Sequence, residues 1–143
     1  MTTGQVLDPV DALYAALKHL TPRVRQDHRL PVPPARSVEV SSPECGSRLT
    51  LDAIIEQGRV RELGYQVRAC SLGQATTAIL AQHAPGLTRA ELQRVRGQFE
   101  ALLRTGAGHC DWPELDVFAP ASDIPNRHAS ALLPFKALDR LFQ

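Results

Sequence analysis

Apolar residues recur at helical spacing in four stretches of the chain and alternate with polar ones in three. The first helical stretch, DPVDALYAALKHL, carries Val10, Leu13, Ala16, Leu17 and Leu20 on one side. Asp8 can cap it and Pro9 suits its first turn, which predicts a helix over about 8–20. TPRVRQDHRLPVPPARS follows, with four prolines and no period. It reads as an extended surface connection, and its Arg23, Arg25 and Arg29 read as solvated charge. Alternation begins at Ser37-Val38-Glu39-Val40. It returns at Leu49, Leu51 and Ala53, then at Leu63, Tyr65, Val67 and Ala69. The EQGR turn, with Gly58 able to take positive φ, joins the last two as a hairpin. The pattern predicts a small antiparallel sheet with at least one face under helices.

The period changes after Cys70. Leu72, Ala75, Thr76, Ile79 and Leu80 predict a helix over about 71–83, and its small residues Gly73, Ala75 and Ala78 suit close packing on the sheet. In TRAELQRVRGQFEALLRTG, Thr88 and Glu91 form a capping box. Leu92, Val95, Phe99, Leu102 and Leu103 make that helix's stripe, and Gly106 stops it. The next stretch reads as a loop with one helical turn around Pro113–Val117. The chain closes on HASALLPFKALDRLFQ, a helix with Leu132, Leu133, Leu138 and Leu141, where Pro134 fits only in the first turn.

The length of 143 residues suits a single domain over residues 1–143 with one core. Hydrophobic residues make up 43% and aromatics 5%, so the core is aliphatic. No apolar run has the length of a membrane span, and the start MTTGQVLDPV lacks the pattern of a secretory leader. The formal charge of +1 argues against a nucleic-acid partner. Three cysteines, an odd number, make no disulfide framework and predict free thiols in a reducing cytosol.

Two of those thiols bracket the hairpin. Cys45 lies in the turn Pro43-Glu44-Cys45-Gly46-Ser47, and Gly46 lets backbone approach a bound group. Cys70 lies where strand passes into helix, and the unpaired N–H groups there favour a thiolate. If the hairpin arms match in length, its far ends bring Cys45 and Cys70 together. On residues alone, with no CxxC spacing, two inert thiols are the favoured reading over a binding pair. His128 reads as a cap or surface residue, and Cys110 in His109-Cys110-Asp111 as a surface thiol.

Thr21-Pro22-Arg23, Cys45-Gly46-Ser47, ACSLGQATTAIL from Ala69 and RHASALLPFKAL from Arg127 occur in that order. Over about residues 8–142 the chain resembles the NifU/IscU/SufU-type iron–sulfur cluster assembly scaffold family, as a divergent member with a SufU-like insertion before the last helix. The resemblance implies an α+β fold, with a small three-stranded antiparallel sheet packed against several helices. It also implies an exposed site of three cysteines, an aspartate and often a histidine. Such a site accepts sulfur from a cysteine desulfurase, assembles a [2Fe–2S] unit for acceptor proteins, and can bind zinc instead. Cys45 and Cys70 match the first two cysteines. Ser47 stands at the aspartate, Ser130 at the third cysteine and Ala129 at the histidine, with His128 one residue away.

The lead expectation is thus a cytoplasmic scaffold-like protein, not an enzyme. Its sulfur and iron site is Cys45, Cys70 and His128, with Ser47 and Ser130 as further donors. The alternative is a zinc-binding module of the same fold on the same residues, with Cys110 as a further source of sulfur. A thiol enzyme with Cys70 as nucleophile and His128 as base is a third reading.

Overall fold

The computed structural model describes residues 8–44 and 46–143, so Cys45 lies outside the described residues. Helix α1 spans Pro9–Leu17, and the Asp8 carboxylate caps it by accepting from the Val10 amide at 2.8 Å. Strands β1 (Arg36–Ser42), β2 (Ser47–Glu56) and β3 (Arg59–Arg68) form an antiparallel sheet in the order β1-β2-β3. The β2–β3 turn has Gln57 and Gly58 both at positive φ, the backbone that matches strand twist in a two-residue hairpin. Helix α2 covers Ser71–His83 and α3 covers Arg89–Thr105. The Thr88/Glu91 capping box is formed, and Gly106, left-handed at φ 73°, ends α3. Helix α4 runs His128–Leu141.

Helix α4 lies across β1 and β2 and packs against both α2 and α3. Val40, Leu49, Leu51, Ala53, Val60 and Val67 are the buried residues that the sheet gives to the core. The buried side chains join into one hydrophobic cluster with Phe99, Phe118 and Phe135 among its largest members. The fold is α+β, as the resemblance implies, and the sheet is antiparallel, as the hydrophobic pattern predicts.

Four local expectations are corrected. Arg29 is not merely solvated: its guanidinium makes a two-pronged pair with Asp52 at 2.7 and 3.2 Å, and Asp52 is fully buried. The Leu30 amide and Ser37 hydroxyl donate to the same carboxylate, so the proline-rich connection is tied to the sheet. Cys110 is no surface thiol but belongs to the core. The expected loop holds a 3₁₀ segment over Pro113–Asp123. Its buried residues Leu115, Phe118 and Ala121 recur every third position, the period of a 3₁₀ turn, which neither helix nor strand spacing reveals. Finally, Pro134 is the seventh residue of α4, beyond the first turn. It cannot donate to the Ser130 carbonyl, but its ring is buried in the core, which offsets the lost bond.

Candidate functional site

Strand register builds the site. Arg48 pairs with Arg68, so the start of β2 lies beside the end of β3. Ser47, the first residue of β2, therefore reaches the residue that opens α2: the Cys70 amide donates to Ser47 Oγ at 3.3 Å. Cys70 is the N-cap of α2, with φ −68° and ψ 172°, and its carbonyl accepts the first helical bond from Gln74 at 3.0 Å.

Helix α4 supplies the third member. Ser130 Oγ stands 3.2 Å from Cys70 Sγ and 2.9 Å from Ser47 Oγ. Gly73 makes this approach possible. A Cβ there would lie 2.8 Å from Ser130 Oγ and 2.8 Å from Ala69 Cβ, so any larger residue would force α2 and α4 apart. The small residues of α2 thus serve contact with α4 here, where the sequence suggested contact with the sheet. Ser47 and Ser130 are buried, while Cys70 keeps partial exposure.

The thiol of Cys70 responds to this setting. Burial pushes it up, but hydrogen bonds from the Ser130 hydroxyl, the Gly73 and Leu72 amides and the Arg127 side chain outweigh burial and bring it below its ordinary value. Arg127 was not singled out by sequence. The available signal was its position three residues before Ser130 at the start of a helix, a spacing that puts the two on one face.

The structure brings together Cys70, Ser47 and Ser130. Cys45 stands in the sequence between Glu44 and Gly46 and lies outside the described residues. His128 opens α4 half-buried, and its Nε2 hydrogen-bonds to the Ala121 carbonyl at 2.6 Å. The Cys110 thiol sits near Asp116 and Asp111; burial foremost, then these carboxylates, push it up to about 11. Among the described residues no three His, Cys, Asp or Glu side chains converge on a metal position. The donors that do meet Cys70 are two buried serine hydroxyls. Iron–sulfur units are held by soft thiolates, and structural zinc by four thiolate or imidazole ligands. This described donor set fits neither by itself; what it does is favour the charged form of the Cys70 thiol.

No protein-family model matches the sequence, and no curated protein matches it either. Solved structures do. A nitrogen-fixing NifU-like protein (N-terminal) from Brucella abortus is 28% identical, with 94% of each chain covered and a TM-score of 0.84. A candidate iron–sulfur cluster assembly scaffold for the SUF system from the thermophile Fervidobacterium islandicum AW-1 is 19% identical, a level that speaks to fold alone. It covers 90% of this chain and 94% of its own, with a TM-score of 0.75.

Proposed function

From the premise that this chain has the NifU/IscU/SufU-type scaffold fold and resembles that family along its length, we propose that it works in iron–sulfur cluster assembly. It accepts sulfur from a cysteine desulfurase at Cys70, with Cys45 as the second thiol of the reading, and passes that sulfur to acceptor proteins. Iron and any assembled cluster are cargo, and the protein completes no catalytic turnover of its own.

The single observation that carries this reading is the setting of Cys70. It is a partly exposed thiol at a helix start, and Ser130 and the helix amides favour its charged form. A thiolate is the form that attacks a persulfide. Cys70 Sγ attacks the outer sulfur of the donor persulfide. The donor's S–S bond breaks, a new S–S bond forms on Cys70, and the donor cysteine leaves as thiolate. No net oxidation or reduction occurs. The helix amides and Ser130 hold the sulfur in place, and Arg127 adds positive charge where the anion sits.

The test is anaerobic incubation with a cysteine desulfurase and free cysteine, followed by mass spectrometry of the alkylated protein. The Cys70 peptide is expected to gain one sulfur atom, and Cys70→Ser to lose most of the loading. A wild type that takes no sulfur, or a Cys70→Ser variant that takes as much, sinks the proposal.

A further inference from the structure

The same three residues bear on metal selectivity, a question separate from sulfur transfer. Ser130 is 0% exposed and Ser47 is 2% exposed. Their oxygens are 2.9 Å apart, Ser47 Oγ accepts from the Cys70 amide at 3.3 Å, and Ser130 Oγ contacts Cys70 Sγ at 3.2 Å. One consistent set of directions closes the ring. The amide donates to Ser47, Ser47 to Ser130, and Ser130 to the sulfur. A hydroxyl that turned to a metal would leave a hydrogen bond broken in a buried place, which is costly. The bare backbone of Gly73, where a Cβ would lie 2.8 Å from Ser130 Oγ, is what lets this hydroxyl sit against the start of α2. Serine oxygen is also a hard, protonated donor, poorly matched to the soft ions that a thiolate attracts.

We infer that Ser47 and Ser130 are the specificity determinants of this site: their buried pair orients the Cys70 sulfur for sulfur transfer and occupies the positions from which donors of the same chain would close a metal's coordination shell. The inference rests on the reading of Cys70 as the sulfur-accepting thiol. It assigns the pair a positioning role and a selective one, against retained zinc or iron. The geometry also names the single atom that holds the balance. Two thiolates sharing a tetrahedral zinc lie about 3.8 Å apart, given Zn–S bonds of about 2.3 Å. The present Oγ–Sγ separation is 3.2 Å, so a sulfur at position 130 shares a zinc with Cys70 once its side chain turns outward by some tenths of an ångström.

The experiment measures zinc and ferrous iron retained after anaerobic dialysis of the full chain: wild type, Cys70→Ser, Ser130→Ala and Ser130→Cys. Wild type, Cys70→Ser and Ser130→Ala are expected to retain metal alike, below one ion per chain. Ser130→Cys is expected to retain zinc where the wild type does not, because it adds a second soft thiolate beside Cys70. A wild type that keeps one ion per chain and loses it on Cys70→Ser overturns the inference, and so does a folded Ser130→Cys that gains nothing. If Ser130→Cys does not fold by circular dichroism, the comparison of wild type with Cys70→Ser decides. Sulfur loading of the wild type is scored in parallel. Failure there with the metal result intact removes the sulfur-accepting reading. Loading together with tight wild-type zinc removes the selectivity inference alone.

Discussion

Cys70 and Cys110 carry the same side chain in opposite electrostatic surroundings. Around Cys70, donors offset burial: a serine hydroxyl, two helix amides and Arg127 favour the thiolate. Around Cys110, burial acts together with the carboxylates of Asp116 and Asp111, and the thiol is pushed up to about 11. Iodoacetamide at neutral pH is therefore expected to modify Cys70 well before Cys110, read by peptide mass spectrometry. Cys110 becomes reactive only when the protein unfolds. Ser130→Ala removes a hydrogen bond to the charged sulfur and is expected to slow the Cys70 reaction severalfold, less than the fall in thiolate alone because the remaining thiolate is the stronger nucleophile. Equal rates for the two cysteines would contradict this account. Sequence indicated the favourable helix start at Cys70, because strand and helix periods change there. It did not indicate the burial of Cys110, because His109 and Asp111 give its surroundings a polar character while its own side chain turns into the core.

At the level of elements, the site depends on how closely α2 and α4 approach. Gly73 sits at their contact with no space for a Cβ. Gly73→Ala improves helix propensity by about 1 kcal/mol, yet overpacking costs about 1–3 kcal/mol, and the second effect is expected to win. Urea unfolding should show a lower midpoint, and sulfur loading at Cys70 should fall as Ser130 is displaced. A variant as stable as wild type would mean that the two helices separate freely. The boundaries of α2 and α3 were readable from periodicity, the capping box and Gly106, since those signals are local. The 3₁₀ segment and the place of Pro134 were not. A three-residue period matches no common template, and a proline deep in a helix is tolerated only through core contacts that the sequence does not display.

Across the whole molecule, one buried carboxylate ties an irregular connection to the sheet. Asp52 is fully buried, and it accepts from Arg29, the Leu30 amide and Ser37. Burial alone pushes its pKa up, but these hydrogen bonds and the Arg29 charge prevail, and the carboxyl titrates below its ordinary value. A carboxyl depressed in the folded state contributes stability above its unfolded value of about 3.9, and that contribution is lost as pH falls through the folded value. Asp52→Asn is expected to cost about 2–3 kcal/mol at neutral pH. The gap to wild type should narrow below about pH 4. Chemical denaturation across that range checks both statements; a gap that stays constant into acid would show that Asp52 acts through shape alone.

Local chemistry in the chain was enough to determine the strands, the hairpin turn, the capped helices and the helix start that favours a Cys70 thiolate. Resemblance added the positions Ser47 and Ser130. Only tertiary structure decided that those two serines meet each other and Cys70, that Arg127 joins them, that Arg29 seeks Asp52 and that Cys110 is buried. The physical reason is distance along the chain. Ser47 and Ser130 are separated by 83 positions, and nothing in the local pattern of either one encodes a partner that only strand register and helix packing can deliver.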